Sequence, residues 1–370
     1  VYALSAETGR RKNLAFHVAR AIRGRIRQGD YLAGDALPSV REMSEEFDVS
    51  LNVIQRALLQ LKNEDVVVTQ QGRGTRVLSV DPCSRTALLF GMIIPYGPMD
   101  MYGHMILMRA EQAFSQRNNY LIVRSAEEGS RKEQDIARQF EHNGLDGLLV
   151  WPVVGDENAS FLKKLAEKIP VVLVDRPLLN SGLPCVRMDW KEAARGMVRE
   201  FMTNNPEGRL LLVEDDQKVP AYRDFEQGVC SEVAELGCAD RVSIEYFPIA
   251  KSVRNWGHGE FPDLQVMRER LFALVKDQGF NCICSPHSDF LDYVVAQSLE
   301  KRELLQNLRF GTFLAPRYSP HSVAFWDLNL KCWHTCMETV IATAADQLQD
   351  WILGGIHPPE ETLVPFGIPS

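Results

Sequence analysis

Apolar residues Leu14, Val18, Ile22 and Ile26 recur at helical spacing, with Arg20, Arg23, Arg25 and Arg27 on the other faces. That predicted helix ends into Gly29-Asp30 and a loop holding Gly34. Ser39, after Pro38, is placed to cap a helix reaching about Phe47. Ser50 is placed to cap a second, with Val53, Ile54, Leu58 and Leu61 beneath it. Val66 to Thr69 reads as a strand, Gln71-Gly72-Arg73-Gly74 as a tight turn, and Thr75 to Leu78 as a return strand.

From residue 87 the pattern changes. Continuous apolar runs at 87–94, 120–123, 147–151 and 171–174 alternate with helical periodicity at 101–118, 131–143 and 159–167. Asp189 precedes a second series. It has helices at 190–204, 221–236, 263–278 and 289–301, and strands at 209–213, 242–247 and 280–284. Fully apolar strands between helices predict parallel sheets covered on both faces. Two such series predict two lobes, with a cleft where strand C-termini place a ligand.

The first eighty residues therefore have the element order of a winged helix-turn-helix, whose second helix is shaped for the DNA major groove. The expected class is α/β: a winged helix-turn-helix over residues 1–80, a linker at 81–86 around Asp81-Pro82-Cys83-Ser84, and a two-lobed domain over 87–370. Gly72-x-Gly74 does not mark a nucleotide site, because it joins two strands and opens no helix.

Charge supports this division. The chain of 370 residues carries −8 overall. Residues 1–80 hold 12 Lys/Arg against 9 Asp/Glu, and the remainder 29 against 40. A mildly basic head on an acidic body suits a protein whose head alone meets phosphate. The eight cysteines include no Cys-x-x-Cys pair and no zinc-finger array, so no metal or cofactor is expected and the thiols read as buried and reduced. Cys282 and Cys284 alternate in an apolar run and are expected on opposite sides of one strand. No signal peptide and no membrane-length apolar run is visible, so a cytoplasmic protein is expected. No His-Glu-x-x-His, Gly-x-Ser-x-Gly or lysine-bearing phosphate loop appears, and no enzyme is expected.

Leu37-Pro38-Ser39-x-Arg41-Glu42, the Val49-Ser50-x-x-Val53-Ile54 helix start and Gly72-Arg73-Gly74-Thr75 match, in order and spacing, the DNA-binding domain of the GntR family of bacterial regulators, which residues 14–78 resemble. The resemblance implies that Arg41 clamps a phosphate or base near its helix start. It puts Ser50, Asn52 and Val53 at the exposed start of the recognition helix, and Gln71, Gly72 and Arg73 against the minor groove or backbone. Leu51 and Gln55 stand where the family usually has arginine, with Arg56 beside Gln55. Each missing bidentate guanine contact removes about 1–3 kcal/mol of discrimination, so a different operator is expected.

The body carries Leu145-Asp146-Gly147-Leu148-Leu149-Val150, Ile169 to Pro177 with Asp175-Arg176, Val186-x-x-Asp189, Tyr222-Arg223 before Gly228, and Ser288-Asp289 before Ala296. In that order it is similar to the LacI/GalR family, related to periplasmic sugar-binding proteins. A GntR-type head on this body is the arrangement of the arabinose-repressor-like subgroup. The resemblance implies a dimeric, ligand-responsive repressor binding operator DNA, with a sugar-like effector between its lobes.

It makes Arg223 the first ligand candidate, a fork of five donors suited to hydroxyls or a carboxylate. Asp175 and Arg176, at a strand end, either face the ligand or neutralise one another. Trp256 is a candidate for stacking on a sugar. Tyr96 and Tyr102 flank a cleft loop, and Asp289 either caps its helix or touches ligand. The family's late ligand-binding carboxylate is missing from Phe310-Gly311-Thr312-Phe313-Leu314-Ala315. An alternative stays open: a small-molecule-binding module with a weak or vestigial DNA-binding head.

Overall fold

The structure is a computed structural model. It describes the chain except residues 1–13, 16–17, 20, 27–28, 64, 71–73, 79–86, 96–100, 218, 250–261, 297, 299–301, 315–327 and 368–370. At 63, 70, 101–105, 262, 289, 292, 296 and 314 only the backbone is described. The chain divides into two compact units, residues 1–173 with 178–184 and 342–360, and residues 174–177 with 185–341 and 361–370. The expected linker at 81–86 lies outside the described residues.

The first unit opens with the head. Helical residues 21–26 form α1, followed by α2 (Val40–Glu46), α3 (Leu51–Asn63), β1 (Val67–Gln70) and β2 (Gly74–Val77). One core joins them, with Val18, Ile22, Ile26, Met43, Ile54, Leu58, Leu61 and Val77 buried. Two assignments in the first helix differ from expectation. Leu14 is exposed, and Arg23, expected on an outer face, is buried. β1 and β2 pair antiparallel, Val67 opposite Val77 and Gln70 opposite Gly74. The loop before α2 adds a third edge. The Gly34 amide donates to the Val77 carbonyl and the Leu37 amide to that of Thr75, both at 2.9 Å.

The remainder of this unit is an open parallel sheet. Its elements are β3 (Leu89–Ile94), α4 (Met101–Ser115), β4 (Tyr120–Ser125), α5 (Ser130–His142), β5 (Gly147–Val150), α6 (Ala159–Ala166) and β6 (Val171–Val174). The strand order is β6-β5-β3-β4. β5 and β6 are buried throughout, as continuous apolar runs require. β4 departs from expectation. It is the edge strand, and Tyr120 and Ile122 are exposed on one face.

The second unit holds β7 (Cys185–Met188), α7 (Trp190–Thr203), β8 (Leu210–Asp215), α8 (Pro220–Leu236), β9 (Val242–Phe247), α9 (Pro262–Gln278), β10 (Cys282–Ser285) and α10 (Ser288–Ala296). It continues with α11 (Arg302–Gln306), β11 (Arg309–Leu314) and β12 (Asn329–His334). Then α12 (Met337–Gly354) carries the chain back to the first unit, and β13 (Glu361–Val364) returns to the second. Five strands run parallel in the order β12-β11-β10-β8-β9, and β13 pairs parallel with β7. The helix expected over 289–301 is described only to Ala296.

The two faces of this sheet separate by the period of two. Leu211, Val213 and Ile283 face one core with Leu264, Leu271 and Phe290 of α9 and α10. Leu210, Leu212, Cys282 and Cys284 face the other, with Met197 and Phe201 of α7 and Phe225 and Val229 of α8. This corrects the placement of Cys282 and Cys284: residues two apart in a strand share a face. Burial pushes both thiols up, which leaves them protonated and inert. Cys230, by contrast with the expected burial, is exposed. α7 and α8 pack so closely that a Cβ on Gly228 would sit 2.2 Å from the Lys191 carbonyl oxygen.

Candidate DNA interface and ligand-facing groups

The head's outer surface follows from how its core is built. α2 starts with a reciprocal cap: the Ser39 amide donates to Glu42 Oε2 at 2.7 Å, and the Glu42 amide to Ser39 Oγ at 3.3 Å. These bonds hold the Glu42 carboxyl below its usual range. Arg41 lies in this first turn, exposed, and no ion pair engages its guanidinium among the described residues. The turn to α3 passes through Asp48 at φ 49°, a left-handed position that aspartate tolerates better than most residues. Ser44 Oγ donates to the Val49 carbonyl at 2.5 Å and fixes the helix pair.

α3 then divides by the helical period. Ile54, Ala57, Leu58 and Leu61 are buried, and Leu51, Asn52, Gln55 and Arg56 are exposed. Val53, expected to face DNA, is only 4% exposed and packs in the core, because it falls on the inner side of that period. Ser50, Asn52 and Arg56 line one hollow of about 510 Å³ together with Leu14. Gln71, Gly72 and Arg73 lie outside the described residues. Arg25 serves the fold instead. It pairs with Glu46 at 2.5 Å and lies over the Phe47 ring.

In the second unit the ligand candidates with described side chains are Arg223, Asp175 and Arg176. Arg223 stands exposed on the first turn of α8, unpaired among the described residues. Its neighbour Asp224 is pinned by Arg187 of β7, which also reaches Glu361 of β13 at 2.8 Å. Asp175 ends β6 at φ 64°, and the Arg176 amide turns back to the Val174 carbonyl at 2.7 Å. Non-glycine residues held at positive φ cluster at functional sites. Asp175 is near enough to Cys185 to help burial push that thiol up. Tyr96 and Trp256 lie outside the described residues, and Tyr102 and Asp289 are described in backbone only, within α4 and α10.

Two groups absent from the expected set stand at the C-terminal ends of β8 and β10, and a third on α8 meets one of them. Glu214 is the last residue but one of β8, at 2% exposure, with neither carboxylate oxygen hydrogen-bonded among the described residues. Burial, then the nearby Glu226 and Asp215 charges, push its carboxyl up to about 8, with the Asp215 amide acting in the other direction. His287 follows β10 with its Nε2 buried and unpartnered among the described residues, and burial pushes the ring down to about 4. Tyr222 of α8 sets its ring edge-on to His287, centroids 5.0 Å apart. The strand expected over 209–213 stops one residue short of Glu214, which the structure includes in β8.

Residues 14–77 match the family of bacterial regulatory proteins named gntR. Residues 89–248 match the periplasmic binding proteins and sugar binding domain of the LacI family. The chain joins a GntR-type helix-turn-helix domain to a LacI-type periplasmic-binding-like domain. The arabinose metabolism transcriptional repressor of Geobacillus stearothermophilus is 24% identical to it over 169 residues, 44% of this chain and 46% of that protein. The Exu regulon transcriptional regulator of Escherichia coli (strain K12) is 34% identical over 91 residues, 24% of this chain and 35% of that protein. The chain thus spans less than half the length of these two relatives. Among solved structures, the Cra transcriptional dual regulator of Pseudomonas putida, in complex with fructose 1-phosphate, superposes with a TM-score of 0.58 at 18% identity. That match covers 76% of this chain and 97% of the other, and it carries the fold of the LacI-type body beyond residue 248.

Proposed function

We propose that this chain is a bacterial transcription regulator, a repressor, whose hold on operator DNA is set by a sugar or sugar derivative bound in its LacI-type body. The observation that carries the reading is the GntR-type head with a complete core and an exposed, uncommitted α3 face. Asn52, Gln55 and Arg56 stand outward there, with Arg41 one helix away. Side chains not spent on the fold are what base and phosphate contacts require.

Arg41 and the wing residues Gln71, Gly72 and Arg73 anchor the backbone in this reading, and Ser50, Leu51, Asn52, Gln55 and Arg56 meet the groove. Arg223, Asp175 and Arg176 are its ligand contacts, with Tyr96, Tyr102, Trp256 and Asp289 as further candidates. The protein acts as a cytoplasmic homodimer on a two-fold operator, needs no cofactor, and binds its small molecule without transforming it. No helix among the described residues is long and apolar enough to cross a membrane. Domain limits of 1–80, 81–86 and 87–370 belong to the same proposal.

A vestigial head is the less favoured reading. Leu51 and Gln55 remove two guanidiniums from α3 and so change the preferred sequence. They leave the helix pair, its cap and its core intact. Selection of sequences from a random DNA pool by the full chain, followed by mobility shift, tests this. A two-fold motif bound at least about 1,000-fold tighter than random DNA is expected. Recovery of no motif would remove the proposal.

A further inference from the structure

A buried acid without a side-chain partner is expensive, and among the described residues neither Glu214 oxygen has one, the Asp215 amide alone acting to favour its charge. Its position explains where it points. Leu210 and Leu212 face the α7–α8 side, so Glu214, two residues on, faces α8. In register it lies opposite Tyr246 of β9, whose hydroxyl bonds Glu226 of α8. β10 is the other neighbour of β8, with Cys284 opposite Leu212. The chain beyond β10 brings His287 against Tyr222, one helical turn before Glu226. Two unsatisfied buried groups from adjacent strands thus converge on one stripe of α8, at the strand C-termini where open α/β sheets hold ligands.

We infer that Glu214 and His287 Nε2 are the buried contacts of a small-molecule site under the first turns of α8, and that this site takes a hydroxyl-rich ligand without negative charge, a neutral or amino sugar. The inference deepens the effector reading above and rests on it. A hydroxyl both donates and accepts, so it satisfies a protonated carboxyl and a neutral imidazole together. A phosphate or carboxylate adds a negative charge beside Glu226 and Asp215 in a low-dielectric site where, among the described residues, no cation acts on the Glu214 carboxyl. Arg223 does not reverse this, because its charge is exposed and screened by solvent.

The test is calorimetric titration and thermal shift of the full chain with four sets of probes. They are neutral pentoses and hexoses, amino sugars, the corresponding sugar phosphates, and the corresponding uronic acids. A neutral or amino sugar is expected to bind, with its phosphate and uronate forms weaker by about 100-fold or more, as for a buried polar contact made against a charge. Glu214→Gln, which keeps a donor and an acceptor, should hold that sugar within a few-fold. Glu214→Leu should lose it by about 10-fold or more while raising the melting temperature of the ligand-free protein, since it removes an unpaired buried acid. That rise guards against mistaking misfolding for lost binding. A phosphate or uronate bound as tightly as its neutral parent, or full affinity in Glu214→Leu, overturns the inference and leaves the sugar-effector reading standing. No binding by any of the four sets overturns both.

Discussion

Glu214 makes the stability of this protein depend on pH in a way that one substitution removes. Its carboxyl sits near 4.5 in the unfolded chain and is pushed up to about 8 in the folded one. Below pH 4.5 both states hold the proton and the group is neutral in its effect. Between 4.5 and 8 the unfolded chain releases the proton and the native chain keeps it, so stability falls as pH rises. The slope is about 1.4 kcal/mol per pH unit for one proton, and the whole interval is worth on the order of 3–5 kcal/mol.

His287 works oppositely. Its ring, pushed down to about 4, makes the native chain hold fewer protons than the unfolded one between about 4 and 6.5, and stability rises with pH there. The two effects cancel between about 4.5 and 6.5, and the Glu214 decline shows alone from 6.5 to 8. Urea denaturation of wild type and Glu214→Gln at pH 5, 6.5 and 8 isolates the carboxyl, because His287 is common to both. The difference should widen in favour of Glu214→Gln by roughly 2 kcal/mol from pH 6.5 to 8. Parallel curves from pH 5 to 8 would show that Glu214 ionises normally and that its environment is not as described.

Four further outcomes follow from named contacts. Gly228→Ala sets a methyl against the Lys191 carbonyl and the Ala194 Cβ, and should cost about 1–3 kcal/mol or more by urea denaturation; an unchanged midpoint would contradict the close approach of α7 and α8. Arg41→Ala should weaken binding to all DNA sequences alike and lower the salt slope by about one, read by anisotropy from 50 to 200 mM salt; an unaltered slope would remove Arg41 from the phosphate contacts. Asn52→Ala should change base preference at one or two operator positions in a repeat of the random-pool selection, and an identical motif would take Asn52 out of the groove. Arg223→Ala should abolish the thermal shift produced by the effector while leaving ligand-free DNA binding intact; a full shift would leave Arg223 without a ligand role.

The sequence disclosed most where one physical signal dominated. In α3 the apolar period placed Ile54, Leu58 and Leu61 inside, and Val242 to Phe247 reads as β9 without error at either end. Val53 was assigned twice over, to the core by period and to DNA by resemblance, and burial decides for the core. The last third was less legible. β12 alternates Asn329 and Lys331 with Leu330 and Cys332 and then ends on Trp333-His334, and no continuous apolar run marks it. β7, β11, α11, α12 and β13 also went unread; β7 and β13 carry Arg187 and Glu361-Thr362 where β5 and β6 are apolar throughout. Glu214 was illegible in principle. Burial of an acid at a strand end comes from α8 folding over it, and nothing in the residues near 214 encodes that.

The central claim is that a small molecule held by the body governs DNA held by the head. Its most direct test is anisotropy of the selected operator titrated with the full chain, with and without the sugar that produces the thermal shift. The account predicts tight, salt-sensitive binding that the sugar weakens by about 5- to 150-fold, the range of ordinary coupling energies. Equal affinity with and without a saturating sugar would contradict it.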